Sequence, residues 1–442
     1  MLFLLRGIKY KRTKNMKKIF LTLALIGLSS SAFAGGYRVA LQGVRQAALG
    51  GTSATQTHDA SVAFYNPAGL AFVESKLSIA VGGFGVKTDV RWQDATTLQK
   101  AKTDSKLGTP MYLAVSYKPA DDVAIGLSVT TPFGSSVTWP EDWQNKSNIT
   151  HIDLKAFNIQ PTIAYRFNDW FSIGAGFIYT HGSAKLEKIQ TVAGNDIKLK
   201  LEDKDAHGLG FNIGAMFKPT DKFGLGLAYR SNVDVSANKG DVTWTNVPTG
   251  IASNVPFNTD KWNTTLPLPS EFTFGMSYKI LPKLEIFGDV VWQNWTRYKS
   301  LDINLYNDAS HTFYTSSSQK NWKDNTLFRF GAEYAFTENI HGRVGYYHDK
   351  SPVPASYWSS ETPSSNLNSF SAGLGFKLNS GFNIDLFGSY VQGDERHINN
   401  IEQNFQGDVK MRAVLFRTFC QARQKHINLC NTHPPIQELI KE

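Results

Sequence analysis

The side chains that could carry out chemistry do not form a catalytic or metal-binding pattern. Histidine, serine and aspartate are common, but no Gly-x-Ser-x-Gly sequence is present to expose a nucleophilic serine at a tight turn. No group of His and Cys residues has the spacing of metal ligands, and the two cysteines, Cys420 and Cys430, lie near the end of the chain. We therefore expect no enzyme, no metal site and no cofactor.

Aromatic side chains are the more informative set, since Phe, Trp and Tyr make up 13% of the chain. Several lie in long segments between predicted strands, where an apolar surface could capture a hydrophobic molecule; each buried CH₂ contributes about 0.8 kcal/mol. The alternative is the aromatic belt found at the edges of a membrane. The candidates for ligand contact are Trp139, Trp143, Phe257 and Trp262, together with Phe313, Tyr357 and Trp358.

The start of the chain has the features of a secretory signal. Two lysines precede an apolar run from Ile19 to Leu28, and Ala32 and Ala34 form a small-x-small cleavage site. We interpret residues 1–34 as an over-extended gene start followed by a signal peptide, so that the mature chain begins at Gly35. For an exported protein, the net charge of +9 does not indicate a nucleic-acid partner.

Period-two alternation of apolar and polar residues recurs between residues 77 and 416, as in Phe272–Ile280. About fourteen candidate strands are joined by short and long connections in turn, which is typical of a barrel with short periplasmic turns and long extracellular loops. We predict an all-β, 14-stranded antiparallel transmembrane β-barrel over 77–416, because only a closed sheet pairs every strand edge in lipid. A secreted β-sandwich or propeller is the alternative. The short connections are Pro119–Asp122, Asn168–Asp169, Pro219–Lys222, Leu281–Lys283, Thr337–Asn339 and Asn379–Gly381.

The stretch before the first strand has a different character. Residues 35–76 are rich in Gly, Ala, Ser and Thr without periodicity, and Pro67 and Gly69 stand next to the aromatic pair Phe64 and Tyr65. Such a segment cannot form a membrane wall, so we expect an N-terminal hatch that plugs the lumen; a periplasmic tether is the alternative. Candidate ionisable contacts in the lumen are Asp289, Arg329, Glu333 and Arg343.

Several motifs occur in order along the mature chain. The two most specific are Asn66-Pro67-Ala68 in the predicted hatch and Ser351–Ala355 in a predicted loop. Together they resemble the FadL/TodX family of outer-membrane transporters of long-chain fatty acids and hydrocarbons, and the resemblance covers nearly all of residues 35–416. Further matching segments are Gln42–Gly51, Thr131–Gly134, Ala184–Lys188, Leu266–Glu271 and Phe370–Gly373.

The resemblance implies a hatch-plugged barrel of fourteen strands in the outer membrane of a Gram-negative cell. Long-chain fatty acids or similar hydrophobic molecules would be captured at extracellular loops and released laterally through a wall gap at a kinked third strand, beside the hatch motif. The motif Asn66-Pro67-Ala68 would take part in gating. The kink is expected at Pro132 and Gly134, because proline lacks a ladder donor and glycine weakens pairing. The alternative is that these two residues begin a loop.

A fatty-acid carboxylate needs a cation or hydrogen-bond donors, because burying it unpaired is costly. The resemblance assigns this role to Lys188, the last residue of its motif, and to Lys320, which lies just before Trp322-Lys323-Asp324. Solvated loop lysines are the alternative. The expected partners are the ligand, outer-membrane lipid and the barrel-assembly machinery, and we expect a monomer. A surface adhesin or receptor that uses the long loops is the alternative function.

The end of the chain departs from the family pattern. After Lys410–Phe416, which we predict as the last strand, the sequence becomes basic and loses its alternation, and it lacks the terminal aromatic residue typical of the family. A Lys or Arg facing lipid at mid-bilayer costs roughly 2–4 kcal/mol. We therefore interpret residues 417–442 as an anomalous tail produced by a frameshift.

Overall fold

The computed structural model describes residues 36–38, 42–104, 107–378 and 381–424, with only the backbone described for 416–424. They form one antiparallel sheet of 21 strands and a few short helices, which confirms the predicted all-β antiparallel fold. Within these ranges, no helix combines the length and the apolar character that crossing a membrane requires. The predicted leader, residues 1–34, lies outside the described residues.

The helices and strands follow one another with few irregular segments between them. The helices are α1 (Val44–Ala48) and α2 (Val62–Tyr65), with 3₁₀ helices at Pro67–Phe72 and Ala355–Tyr357. The strands in the first half of the chain are β1 (Leu77–Gly83), β2 (Gly85–Gln93), β3 (Lys100–Lys102), β4 (Met111–Tyr117), β5 (Val123–Thr138), β6 (His151–Asn168), β7 (Phe171–Val192), β8 (Asn195–Thr220), β9 (Phe223–Arg230) and β10 (Val233–Thr245). Those in the second half are β11 (Lys261–Leu268), β12 (Ser270–Leu281), β13 (Leu284–Asn294), β14 (Ser300–Asn307), β15 (Thr312–Gln319), β16 (Asn325–Ala335), β17 (Ile340–Asp349), β18 (Leu367–Lys377), β19 (Phe382–Gly393), β20 (Arg396–Asn400) and β21 (Phe405–Gln424).

The strand pairings form a ring. From β1 they run through β4, β5, β6, β7, β8, β9, β12, β13, β16, β17, β18, β19 and β21, and β21 pairs back with β1. The remaining strands extend the sheet at the end where the long connections lie. At the other end, the six predicted short connections each join two neighbours of the ring, although residues 379 and 380 lie outside the described ranges.

The two faces of the ring differ in polarity, as β12 shows. Phe272, Phe274, Met276 and Tyr278 point outward and are 40–47% exposed, whereas Glu271, on the opposite face, is buried. An apolar outer face and a polar inner face are what a barrel wall in lipid requires. The alternation that predicts these strands therefore reports which side chains face lipid and which face the lumen.

The segment from Gln42 to Val73 packs inside the ring, with nearly all of its side chains buried. Side chains of the wall hold its backbone. Gln160 donates to the Ala63 carbonyl at 2.8 Å, Ser172 donates to the Ala68 carbonyl at 2.9 Å, and Arg329 donates to the Gly51 carbonyl at 3.1 Å. We call this segment the hatch. Its two α-helices span only five and four residues, so the wall rather than helix propensity fixes its conformation.

The last strand differs from the sequence-based boundary. The backbone of β21 continues beyond Phe416 to Gln424, pairing with β19 as far as Phe382↔Ala422 and with β1 at Leu77↔Gln424. Backbone pairing depends on the neighbouring strands and does not require alternating side chains. The loss of apolar–polar alternation therefore predicts an end of the last strand that is too early. Residues 425–442 lie outside the described residues, and the frameshift interpretation stays a prediction.

Candidate functional site

The strand β5 changes partners half-way along its length. As far as Thr130 it pairs with β4 on one side and β6 on the other. Its register with β6 then shifts, because Thr131 and Pro132 together stand opposite the single residue Phe157. An extra residue that lacks an N–H group bends a strand in this way. Pro132 thus lies in a bulge inside the strand and Gly134 is paired just beyond it, so neither residue begins a loop.

Beyond the bulge, β5 lies inside the ring. Every residue from Thr131 to Val137 is buried, whereas the first half of the strand keeps its alternation. On the side that β4 has left, the segment Gly36–Arg38 takes its place: the Gly134 amide donates to the Tyr37 carbonyl at 2.9 Å, and Arg38 forms an isolated bridge with Phe133. The wall between β4 and β5 is therefore completed here by the segment Gly36–Arg38.

An apolar cavity of about 80 Å³ adjoins this inward part of β5. Phe133 and Gly134 form part of its lining, with Tyr37, Trp262 and Tyr298 around them. Tyr37 and Tyr298 meet edge to face at 6.2 Å between ring centroids. The aliphatic side chains of the lining come from strands at the long-loop end of the ring and include Leu154, Leu186, Leu266, Leu301 and Ile303.

A second, more polar pocket of about 330 Å³ adjoins the first. The two pockets share Leu186, Leu301, Ile303 and Glu361. Lys188 lines the polar pocket from the part of β7 beyond its lipid-facing residues. Burial lowers the pKa of Lys188, and the negative charge of Glu361 opposes this effect. In the part of the chain that the structure describes, the Lys188 ammonium forms no salt bridge.

Lys320 is the second cation of the site, and it is almost fully buried, with 1% of its side chain exposed. Its ammonium lies 2.7 Å from Glu361 Oε2, and the Ser359 hydroxyl donates to the same oxygen at 2.7 Å. Burial alone would raise the pKa of Glu361, but the Lys320 ammonium holds that pKa below its ordinary value. The predicted cations, Lys188 and Lys320, are thus brought to one carboxylate that belongs to the chain itself.

The predicted aromatic contacts fall into two groups. Trp262 is fully buried and lines the apolar cavity, and its contact with a ligand stays a prediction. Trp139 and Trp143 instead stack on each other at 4.2 Å and donate to the carbonyls of Ser360 and Ile149, so they form part of the loop core. Phe257 is half-buried against Trp244 outside the cavity. Among the secondary candidates, Trp358 is also buried, and Phe313 is 64% exposed.

The hatch motif Asn66-Pro67-Ala68 lies against β7 and β8. The Asn66 side chain is fully buried; its nitrogen donates to the carbonyls of Ala54 at 2.8 Å and Ala215 at 3.1 Å, and its oxygen accepts from the Ala68 amide at 3.1 Å. Gln42 and Tyr37 are bonded to β5 at the bulge and just beyond it, and the expected position of the motif beside the kink stays a prediction.

Charged residues of the wall tie the hatch in place, among them three of the four candidate ionisable strand residues, Asp289, Arg329 and Glu333. Asp289 accepts from the amides of Ser53 at 2.7 Å and Ala54 at 3.2 Å, and Glu333 pairs with Arg45 at 2.5 Å. Arg343 pairs with the same Glu333 at 2.5 Å. These contacts fix the plug at the end of the ring opposite the two pockets.

Some lining residues are missed by sequence reasoning. Glu361 lies in a loop without local pattern, and its partner Lys320 is 41 positions away, so no spacing signals the pair. Tyr37 lies in a segment without apolar–polar alternation, so the sequence does not predict its position in the fold. Leu266 and Leu268 alternate with polar or small residues in β11, and that pattern could have indicated an additional strand beside the cavity.

The comparison with known families agrees with this geometry. Residues 25–423 match the model of a family described as outer membrane protein transport protein (OMPP1/FadL/TodX). The chain belongs to this family. Its members are outer-membrane transport proteins for hydrophobic substrates rather than enzymes, which confirms the predicted outer-membrane location and transporter class.

The relatives of this family member span most of its length. A Neisseria meningitidis serogroup B protein, provisionally named as an outer membrane protein, is 28% identical and covers 87% of the chain and 91% of its own length. The long-chain fatty acid transport protein of Salmonella typhi is 25% identical, with 67% and 72% covered. The crystal structure of a Pseudomonas aeruginosa FadL homologue shares the fold, with a TM-score of 0.76 at 17% identity, covering 88% of this chain and 99% of that one. The Pseudomonas putida toluene transporter TodX gives 0.71 at 15%, covering 88% and 100%.

Proposed function

We propose that the protein carries hydrophobic molecules across the outer membrane, taking them into the apolar cavity and releasing them sideways into the membrane at the bulge of β5. One observation supports this route above all. Phe133 and Gly134 line the cavity and also belong to the part of β5 that has left β4. In this proposal, a molecule in the cavity leaves through the wall where β5 has parted from β4, past Tyr37 and the segment Gly36–Arg38 that pairs with β5 there.

The chemistry of the cargo favours such a route. A long apolar chain gains about 0.8 kcal/mol for each buried CH₂ and would gain little from a water-filled pore. The cavity of about 80 Å³ is smaller than the roughly 150 Å³ that holds benzene in an engineered apolar cavity. We infer that Tyr37 and its aromatic neighbours move when a ligand enters.

Two substrate classes fit the site. The relatives and structural neighbours include a long-chain fatty acid transport protein and a toluene transporter, so both a long-chain carboxylate and a neutral hydrocarbon are candidates. For a carboxylate, Lys188 in the adjoining polar pocket and Lys320 beside Glu361 are the cations that could receive the head group. Binding at a micromolar or lower Kd corresponds to roughly 8 kcal/mol or more.

The test is uptake by cells that lack their own transporter. Cells expressing the protein should take up radiolabelled oleate or hexadecane saturably, and Gly134→Val, which adds a bulky side chain to the cavity lining just beyond the bulge, should reduce uptake at least tenfold without changing barrel assembly. Gly388→Val is the matched control, because a side chain at this β19 glycine meets open space.

The possible results distinguish transport itself from the lateral route. Unchanged uptake by Gly134→Val would remove the lateral route while leaving transport in place. No saturable uptake of either ligand would overturn transport itself. Adhesion of the same cells to host-cell monolayers would then support the alternative role as a surface adhesin.

A further inference from the structure

The Glu361 carboxylate lies where the polar pocket meets the apolar cavity. It belongs to the connection between β17 and β18, shortly after the 3₁₀ helix Ala355–Tyr357. The neighbouring Ser360 fixes this connection, since its carbonyl accepts from Trp139 at 3.0 Å and its hydroxyl accepts from Asn148 at 2.8 Å. Glu361 is therefore held at the boundary by the loop core and not only by its charge.

Glu361 is bonded to one of the two cations suited to a ligand carboxylate and shares a pocket with the other. Lys320 is bonded to Glu361 at 2.7 Å, and Lys188 lines the same pocket as Glu361. The third lysine of the site, Lys155, lines the apolar cavity but pairs with Asp153 at 2.8 Å. The charge of Lys320 is thus balanced within the chain, and Glu361 is also the carboxylate whose negative charge acts on Lys188.

We propose that Glu361 is a built-in counter-ion that makes the cavity select uncharged hydrophobic molecules over carboxylates. This inference rests on the proposed function, because it assigns the substrate class of the same cavity. To reach Lys320, a ligand carboxylate would have to displace Glu361 from a buried ammonium, and to reach Lys188 it would have to enter the pocket that Glu361 also lines. Like charges in a poorly solvated site repel strongly. A neutral molecule needs only the apolar lining and leaves the ion pair intact.

The test compares two ligands that share one acyl chain, oleate and its neutral methyl ester. Equilibrium binding of each radiolabelled ligand is measured with the purified full chain in detergent micelles. We expect the wild-type protein to bind methyl oleate at least tenfold more tightly than oleate. In Glu361→Gln, Lys320 loses its internal partner, so oleate should bind at least tenfold more tightly than in the wild type while methyl oleate changes less than threefold.

Two variants serve as controls. Glu402 lines the polar pocket but accepts only from the Ser318 hydroxyl and the Gln319 amide, so Glu402→Gln removes a nearby negative charge without freeing a lysine. It should leave both affinities unchanged. The double variant Lys320→Gln/Glu361→Gln removes both charges of the pair and should lose the gain for oleate.

Several results would overturn the inference: tighter wild-type binding of oleate than of its ester, an equal change of both ligands in Glu361→Gln, or the same gain in Glu402→Gln. The wild-type preference alone decides the matter if Glu361→Gln fails to assemble, as judged by heat-modifiable migration on gels. If neither ligand binds the wild type or any of the variants, the proposed function is overturned, and this inference with it.

Discussion

Replacing Gly214 by alanine tests how the hatch is held. Gly214 lies in β8 opposite the hatch motif, and a Cβ atom there would stand well inside van der Waals contact of Asn66 Oδ1 and 3.0 Å from Pro67 Cδ. Both neighbours belong to a buried turn, so neither can swing into solvent. We expect Gly214→Ala to displace the Asn66 side chain and to leave the strands of the wall in place.

The size of the effect follows from the bonds that Asn66 makes. It donates to the carbonyls of Ala54 and Ala215 and accepts from the Ala68 amide. A buried hydrogen bond contributes about 1 kcal/mol net, so losing all three costs about 3 kcal/mol. Since 1.4 kcal/mol is a factor of ten, the population of the loosened hatch should rise roughly a hundredfold.

Hydrogen exchange measured by mass spectrometry reports this population directly, because amides that exchange through local opening do so in proportion to it. Peptides covering residues 59–72 should exchange roughly a hundredfold faster in Gly214→Ala, while peptides from β16 and β17 stay unchanged. Gly388→Ala is the control, since its added methyl group meets nothing within 4 Å. Equal protection of the hatch in both variants would refute the account of how the wall holds Asn66.

Two further expectations concern single polar groups. Asn66→Asp keeps the accepting oxygen but loses both donations, to Ala54 and Ala215, so the hatch should loosen by about 2 kcal/mol in the same exchange experiment; unchanged exchange would show that these bonds do not hold it. Lys320 holds the pKa of Glu361 below its ordinary value, so the stabilisation from this pair is complete above that ordinary value and is lost only as pH falls through the lower folded value. Exchange protection of residues 355–365, corrected for the intrinsic rate, should stay constant from about pH 8 to about pH 6, and a decline over that window would contradict the pairing.

The wall could be predicted from the sequence because lipid enforces a local rule. Every second residue of a spanning strand must be apolar, and the short turns must interrupt that pattern. Segments such as Phe272–Ile280 therefore indicate both that they are strands and which of their faces points outward. Above the membrane the rule no longer applies. The strand β15, with the sequence TFYTSSSQ, is mostly polar on both faces and is held by its pairing with β14, so alternation does not reveal it.

The site shows the same contrast between residues that a sequence motif indicates and residues whose role depends on contacts far along the chain. Lys188 and Lys320 follow from motifs, and the structure brings both to one place. Glu361 could not be predicted, because its role comes from a contact across two loops. Trp139 and Trp143 illustrate the opposite error: an aromatic residue in a loop can bind a ligand or pack against another loop residue, and composition alone does not distinguish the two.

The way the hatch is anchored also fixes the order in which the molecule can assemble. Isolated helices shorter than about 12–15 residues are marginal in water, and those of the hatch have five and four. The partners of its backbone stand far along the chain: Arg329 is 278 positions from Gly51, and Ser371 is 323 positions from Ala48. The plug, although it is made first, cannot complete these contacts until the last third of the wall is in place. The wall is thus the template on which the plug completes its fold.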